Sequence, residues 1–124
     1  MTYEEIFEKS KKLILANDAS EIKGHLAVQV DITGEGEGAF YIELNDGKLA
    51  VEPYEYYDRD CKFIVSGEDF LSICDGSLDG VKAFTNGKLK VEGDIDKALQ
   101  ISELMGKVKK ISEEKTDGKA NKKK

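Results

Sequence analysis

The dipeptide Asp46-Gly47 stands between two short runs in which apolar and polar residues alternate. Upstream, every second residue from Phe40 to Leu44 is large and apolar, and Leu49 and Val51 repeat this spacing downstream. A period of two is typical of a strand with one buried face, and Asp-Gly is a strong signal for a two-residue hairpin. The chain is therefore expected to build an antiparallel hairpin with one apolar face, and that face needs a cover.

Three other segments have the pattern of strands. Residues 26–32 alternate between apolar and polar side chains and predict a half-buried strand before the hairpin. The segment CKFIVSG, residues 61–67, predicts a fourth strand, and KLKVEG, residues 88–93, predicts a fifth. Pro53 marks the end of the third strand or an edge position, since proline has no N–H for the ladder.

Helices are expected at both ends of the chain and between the last two strands. A capping box at Thr2 and Glu5 begins an amphipathic first helix. Ser66 is expected to cap a short second helix, and Asp94 a long last helix that ends near Ile111. Strands grouped early and helices grouped late predict an α+β fold in which helices cover one face of the sheet.

A short third helical segment, SLDGVKAF, lies between the second helix and the fifth strand. Leu78, Val81 and Phe84 fall in step on one face of it, which predicts a single apolar face. Asn86-Gly87 then ends the turn before the strand.

The net charge of −6 is unevenly distributed along the chain. Residues 1–106 contain 11 basic and 22 acidic side chains, a net of −11, whereas residues 107–124 contain 8 lysines and 3 acids, a net of +5. The acidic body repels phosphate backbones, so we expect no nucleic-acid partner. Residues 1–111 are expected to form one domain, and 112–124 a Lys-rich disordered tail that either solubilises the chain or contacts anionic membranes transiently.

Hydropathy and cysteine usage indicate the compartment. The sequence has no run of about 20 apolar residues, and its charged first residues lack the apolar centre of a secretory signal. We therefore expect a cytoplasmic protein. Cys61 and Cys74 lie on separate predicted elements, so reduced and partly buried thiols are expected rather than a disulfide.

The residue types that carry catalysis or bind metals do not cluster in this sequence. His25 is the only histidine and has no neighbouring cysteine, so we expect no metal site and no nucleophile with a histidine base. The segment GEGEG, residues 34–38, is expected to be a hairpin, because Glu35 and Glu37 would place negative charge where a phosphate must sit. No catalytic residue and no cofactor are expected.

Three tyrosines, Tyr54, Tyr56 and Tyr57, occupy a predicted loop after the third strand. Two roles are open for them: stacking on a ligand or partner, and packing over the edge of the sheet. The second role is favoured because surface loops commonly pack their own side chains.

The last helix has a wider apolar face than a small sheet requires. On a helical wheel its apolar residues spread over roughly 200°, where covering a core needs about 100°. They are Ile95, Ala98, Leu99, Ile101, Leu104, Met105 and Val108, interrupted by Lys97, Ser102 and Gly106. The surplus is expected to contact another helix, a second subunit or an apolar ligand, since large exposed apolar patches are unusual.

The segment FTNGKLKVEGDIDKALQISEL, residues 84–104, closely resembles the signature of the sterol carrier protein 2 family. In that signature an aromatic residue, a Gly-Lys-Leu-Lys strand, a second glycine and an Ala-containing amphipathic helix follow one another. FYIELNDGKL resembles the family's second strand and hairpin, and DCKFIVSGEDFLSICDGSLD resembles its Cys-containing strand and Asp-Phe helix. The resemblance extends from about Gly24 to Leu104.

The resemblance implies an α+β fold in which a five-stranded mixed or antiparallel sheet, covered on one face by about five helices, encloses an apolar tunnel. It also implies non-catalytic binding of a fatty acid, fatty acyl-CoA or sterol-like lipid, with transfer between membranes left open. By the same likeness the residues that line or flank the cavity are Phe70, Ile73, Val81, Phe84, Leu89, Val91, Leu99, Leu104 and Met105. The period of the sequence does not separate cavity wall from solid core.

Two features depart from the family's pattern. The family's second strand commonly contains a tryptophan, whereas Phe40 and Tyr41 stand there in a chain that has none. The sequence ends NKKK rather than in a Ser-Lys-Leu-type address, so peroxisomal import is not expected. The expected partner is a lipid and the expected state a monomer or weak dimer. The alternative is an interaction or dimerisation module that uses the apolar face of the last helix and has no cavity.

Overall fold

The computed structural model describes residues 1–105 and contains one five-stranded sheet with the spatial order β3-β2-β1-β4-β5. The strands are β1 His25–Thr33, β2 Gly38–Asn45, β3 Lys48–Glu52, β4 Cys61–Ser66 and β5 Leu89–Gly93. The helices are α1 Tyr3–Leu15, α2 Gly67–Cys74, α3 Gly80–Thr85 and a last helix, α4, whose described part covers residues 95–105.

The sheet is mixed. β1 pairs antiparallel with β2 and parallel with β4, while β2–β3 and β4–β5 are antiparallel pairs. The parallel pair needs a crossover, and the loop of residues 53–60 provides part of it after β3. The predicted α+β class and the five predicted strands are confirmed. The predicted boundary between the domain and the tail lies outside the described residues.

The helix starts are those predicted. Thr2 accepts a hydrogen bond from the Glu5 N–H at 3.2 Å, and the Glu5 carboxylate accepts one from the Thr2 N–H at 2.8 Å. Ser66 and Asp94 cap α2 and α4 by accepting from the N–H three residues ahead. These side chains satisfy N–H groups that have no partner within a helix, and so fix where each helix begins.

Residues 1–105 contain four helices, so the expectation of about five is wrong for this part of the chain. The segment 17–24 after α1 is not helical. The Asn17 amide donates to the Ile14 carbonyl at 2.9 Å, and the Asp18 carboxylate accepts from the Ser20 N–H at 3.0 Å. Such local side-chain bonds favour turns over a further helix.

The Asp46-Gly47 hairpin joins β2 to β3 as predicted. Both residues have positive φ angles, 46° and 86°, which is the combination of a type I′ turn. A Cβ atom on Gly47 would lie 2.7 Å from the Ser20 carbonyl oxygen, so the site excludes any side chain. The Asp46 carboxylate also accepts from the Gly24 N–H at 2.8 Å, which connects the turn to the start of β1.

The strand register places the large apolar side chains on one face of the sheet, toward the helices. Phe40, Val30, Phe63 and Val91 form one row across β2, β1, β4 and β5. The Phe40 ring meets Phe7 of α1 and Phe70 of α2 edge-on, with centroids 5.5 and 5.6 Å apart. The core therefore lies between this inner face of the sheet and the helices.

The outer face of the sheet is polar and is partly covered by the loop of residues 53–60. Tyr56 packs edge-on against Tyr41, with ring centroids 4.8 Å apart, and its N–H donates to Gln29 at 3.1 Å. Gln29 is buried beneath this loop, so β1 is buried on both faces rather than half-buried as predicted. The structure differs here because β1 is the central strand and the loop adds a second cover.

Only one of the three loop tyrosines packs over the sheet. Tyr56 has the predicted role, and its hydroxyl donates to Glu43 at 3.0 Å. Tyr54 and Tyr57 are exposed instead, so the prediction is wrong for these two.

Candidate functional site

The nine residues expected to line or flank a cavity occupy three environments. The buried ones are Phe70, Ile73, Leu89, Leu104 and Met105. Val91 and Leu99 are half-buried. Val81 and Phe84 are exposed, by 44% and 39%. The structure thus brings the five buried residues and Val91 together in one apolar core, and places Val81 and Phe84 at the surface.

The sheet side of this region is formed by β5 and β4. Leu89 and Val91 project from β5 toward the helices, opposite Val65 and Phe63 of β4. The prediction that Leu89 and Val91 point to the same face is confirmed. Because β5 is an edge strand, this apolar surface continues to the border of the sheet.

α4 covers the region with a broad buried face. Its buried residues are Ala98, Ile101, Ser102, Leu104 and Met105. At 3.6 residues per turn these positions span an arc of about 160°. Ile95 and Leu99 lie at one edge of that arc, where Ile95 is 39% exposed and Leu99 is half-buried. The wide apolar arc predicted for this helix therefore reaches solvent along one edge. Val108 lies outside the described residues.

Asp60, just before β4, holds the start of α4 against the sheet. Its carboxylate accepts hydrogen bonds from the Ala27 N–H at 2.8 Å and the Lys97 ammonium at 3.1 Å. Its carbonyl accepts from the Asp94 N–H at 2.9 Å. Burial acts to raise the pKa of Asp60, but the two donors to the carboxylate outweigh it, so this pKa lies below the ordinary value of 3.8.

Gly93 allows β5 to pass close to Asp60 before α4 begins. Its φ angle is 102°, in a region that side chains disfavour, and a Cβ atom there would lie 2.6 Å from the Asp60 carbonyl oxygen. A glycine is therefore required where the strand turns into the helix.

α3 meets α4 through small residues. The buried residues of α3 are Gly80 and Ala83. A Cβ atom on Gly80 would lie 2.8 Å from the Ser102 Cβ and 3.7 Å from Ile73 of α2, so α3 approaches α4 too closely for any side chain there. Ser102, a polar residue within the predicted apolar face, is buried at this contact.

This close approach explains why Val81 and Phe84 are exposed. The sequence predicts an apolar face in step with Leu78, but Gly80 and Ala83 face the core and turn the larger side chains outward. Leu78 itself is half-buried against the core. Two small residues at a spacing of three are the sequence signal that indicates such an approach.

Neither cysteine has the environment of a reactive thiol. Cys61 and Cys74 are buried and free, as predicted. Burial raises the pKa of the Cys61 thiol to about 12, with a further contribution from the charges of Asp60 and Asp94. Burial also raises the pKa of Cys74. Because the thiolate is the nucleophilic form, both side chains are unreactive near neutral pH.

His25 is exposed at the start of β1, as predicted. Its Nε2 atom lies 2.5 Å from Glu43, and this hydrogen bond lowers the pKa of the Glu43 carboxyl, helped by the Tyr56 hydroxyl and opposed by partial burial. In residues 1–105 no three His, Cys, Asp or Glu side chains are grouped closely enough to hold a metal ion. The described helices include none that is both long and apolar enough to cross a membrane.

Known proteins resemble this chain in sequence and in fold. It is 31% identical to Sterol carrier protein 2 of Homo sapiens over 85 aligned residues. The alignment covers 68% of this chain and 16% of that protein. The chain is 33% identical to Hydroxysteroid dehydrogenase-like protein 2 of Rattus norvegicus over 78 aligned residues, and this alignment covers 62% of this chain and 15% of that protein. The chain thus spans about one sixth of the length of these relatives.

A similar fold is present in the solution NMR structure of palmitated SCP2L2 from Aedes aegypti, with a TM-score of 0.58 and 25% identity over 85% of this chain and 95% of that one. Residues 4–106 match the model of the SCP-2 sterol transfer family. This match covers most of the sequence, and the chain belongs to the SCP-2 sterol transfer family.

Proposed function

We propose that this domain binds the apolar tail of a lipid, a fatty acid, fatty acyl-CoA or sterol-like molecule, without catalysing a reaction on it. The observation that carries the proposal is the likeness to palmitated SCP2L2, which extends over 85% of this chain. The absence of reactive thiols at the two cysteines, where burial raises both pKa values, is consistent with a carrier.

The apolar interior supports a ligand orientation in which the hydrocarbon tail is buried and the charged group stays at the surface. The buried polar residues among positions 1–105 are Ser10, Asn17, Gln29 and Ser102, and none of them is charged. Of these, only Ser102 belongs to α4. A carboxylate or phosphate would lose its hydration without gaining a partner between β5 and α4, so the charged group of the ligand stays at the rim.

The size of the apolar contribution sets the expected affinity. Burial of one CH₂ contributes about 0.8 kcal/mol, so ten methylenes give roughly 8 kcal/mol before the cost of association. A cavity of about 300–1,000 Å³ accommodates one acyl chain. Dissociation constants in the micromolar range or weaker are therefore expected.

α4 is the element that we assign as the gate. Its first turn is fixed by Asp60 and Lys97, whereas its contact with α3 depends on the small residues Gly80 and Ser102. The exposed Ile95 shows that part of its apolar face is already in water. Outward movement of α4 from β5 would expose Leu89 and Met105 to an incoming acyl chain.

A chain-length series tests the proposal. Saturated fatty acids from about ten to eighteen carbons would compete with a fluorescent fatty acid for the purified protein, with one site per chain. Affinity is expected to rise by up to about fourfold per CH₂ and to level off when the cavity is filled. A lack of saturable uptake for fatty acid, acyl-CoA and sterol probes would refute the proposal.

Leu104→Ala and Leu26→Ala form a matched pair for locating the site. Both leucines are 6% exposed, but Leu104 lies on α4 and Leu26 on β1. Each truncation should cost about 2–5 kcal/mol of stability. Only Leu104→Ala should change fatty acid affinity, and an equal change in Leu26→Ala would contradict a site under α4.

The exposed edge of α4 favours one alternative. Ile95 and Leu99 could pair with a second copy of the chain, so that the surplus apolar surface serves dimerisation without a ligand. Light scattering over a concentration series separates the two. A tight dimer with no lipid uptake supports the alternative, and a monomer with saturable uptake supports lipid binding.

A further inference from the structure

α3 carries an aromatic side chain that is exposed at the surface of the domain. Of the five phenylalanines in the sequence, four are buried, and Phe84 is 39% exposed. Val81, one turn earlier on the same side of α3, is 44% exposed. Since Gly80 and Ala83 fill the contact with the core, this apolar pair faces solvent in the structure described.

The charge around this pair is opposite to that of the rest of the domain. Residues 80–91 contain Lys82, Lys88 and Lys90 and no acidic residue, within a body whose net charge is −11. All three lysines are exposed. None of them forms an ion pair with any side chain in residues 1–105.

Hydrogen bonds fix the positions of α3 and of the turn that follows it. The Asp79 carboxylate caps α3 by accepting from the Val81 N–H at 2.8 Å. The Lys88 N–H donates to the Ala83 carbonyl at 2.9 Å, so the turn after α3 folds back against the end of the helix. Lys82 follows Val81 directly on the helix, and Lys88 lies in the turn.

We propose that Val81, Phe84, Lys82 and Lys88, here called the α3 basic edge, dock on an anionic lipid surface. Lys90 lies between Leu89 and Val91 on β5, so it points to the outer face of the sheet and is not part of this edge. The two apolar side chains enter the interfacial layer and the two lysines of the edge contact anionic headgroups, as in other interfacial segments. This goes beyond lipid binding because it names the surface that faces a membrane. Gly80, one residue before Val81, contacts α4, so docking would place the α3–α4 contact at the membrane.

The size of the edge favours a membrane over a protein partner. A stable protein interface buries about 800 Å² on each side, and two exposed apolar side chains on a six-residue helix do not supply an apolar centre for it. A lipid surface needs no matching shape. Its negative charge complements the lysines of residues 80–91, a segment that contains no acidic residue.

Vesicle cosedimentation of the full chain tests the proposal. The vesicles are phosphatidylcholine alone, or phosphatidylcholine with ~30 mol% phosphatidylserine. Binding is expected only with phosphatidylserine and should weaken as salt is raised. K82Q/K88Q should reduce the partition coefficient by about fivefold per lysine. The control K23Q/K48Q removes the same charge at exposed positions near β1 and β3 and should leave it almost unchanged.

Two further variants separate the edge from other sources of binding. F84A should weaken vesicle binding, whereas L15A, which truncates a 43% exposed leucine at the end of α1, should not. K122Q/K123Q/K124Q removes three lysines of the tail. Loss of binding confined to this tail variant, an equal loss in both lysine pairs, or no binding to anionic vesicles would each overturn the proposal.

Fatty acid titration without vesicles distinguishes docking from lipid binding. K82Q/K88Q should retain the affinity of the unmodified chain for the fluorescent fatty acid while losing vesicle binding. Vesicle binding without any fatty acid uptake would leave the α3 basic edge supported and refute the lipid-binding proposal. Fatty acid uptake without vesicle binding would do the reverse.

Discussion

α1 and α2 are held against the sheet by large interlocking side chains, whereas α3 meets α4 through small ones. At the α1–α2 end Tyr3, Phe7, Phe40 and Phe70 form a continuous series of ring contacts, with centroids 5.5–6.2 Å apart. The Tyr3 hydroxyl also donates to the Ala39 carbonyl of β2 at 2.7 Å. Opening this end would separate several aromatic pairs at once.

The α3–α4 end lacks a comparable aromatic series in the described residues. α3 has only six residues, its buried side is Gly80 and Ala83, and Phe84 points away from the core. Within residues 1–105, the Lys97–Asp60 contact is the only ion pair between α4 and the rest of the domain. This difference suggests where a lipid enters, because separating α3 from α4 at Gly80 and Ser102 exposes less apolar surface than separating the aromatic rings of α1 and α2.

The largest expected contrast comes from one substitution made at both ends. Phe40→Ala should destabilise the protein by about 3–5 kcal/mol, because it removes a fully buried ring in contact with two others. Phe84→Ala should change stability by about 0.5 kcal/mol or less, as for other exposed positions. Urea unfolding of both variants measures this. Equal losses of stability in the two variants would contradict the proposed difference in packing between the two ends.

The next contrast uses two glycines at helix contacts. Gly80→Ala places a Cβ 2.8 Å from Ser102, and Gly67→Ala places one 2.5 Å from the end of the Ile6 side chain. Each should cost about 1–3 kcal/mol. Hydrogen exchange should become faster only in α3 and α4 for Gly80→Ala, and the rate of fatty acid entry should rise. Faster exchange in α1 in that variant would contradict a separate α3–α4 end.

A smaller, pH-dependent effect is expected at Asp60. Its pKa is below the ordinary value, so the folded protein binds this proton more weakly than the unfolded chain, and the carboxylate stabilises the fold above about pH 4. Asp60→Asn should cost about 1–2 kcal/mol near neutral pH. The cost should shrink as the pH falls through the lowered pKa. Unfolding curves over a pH series measure it, and a cost independent of pH would exclude the charge as its source.

The smallest effect is expected inside the α1–α2 end. The Ser10 hydroxyl is buried and has no hydrogen-bond partner among residues 1–105. Ser10→Ala should therefore stabilise the protein by about 0.5–1 kcal/mol, because it removes an unpaired polar group and improves helix propensity. Thermal unfolding is the measurement. A loss of stability would indicate that the hydroxyl bonds to the helix backbone.

Local signals predicted most of the secondary structure. The capping box at Thr2, the hairpin at Asp46-Gly47 and the cap at Asp94 depend on residues close together in sequence, and all three are confirmed. The alternation in β5 likewise predicted that Leu89 and Val91 share a face. Short-range geometry and side-chain period are enough to determine such features.

Features that depend on distant contacts were not predictable in this way. The burial of Gln29 depends on Tyr56, 27 positions later, and the outward turn of Phe84 depends on the approach of α3 to Ser102. The Asp60–Lys97 ion pair spans 37 positions. Hydrophobic period identifies an apolar face, but it does not tell which neighbour comes close enough to exclude large side chains.

The most direct measurement is hydrogen exchange of the full chain, followed by mass spectrometry, with and without saturating palmitate. If lipid enters between β5 and α4, palmitate should slow exchange mainly in residues 80–105 and leave α1 and α2 almost unchanged. Saturable palmitate binding with slowed exchange concentrated in α1 and α2, or with no change in residues 80–105, would contradict entry at the α3–α4 end.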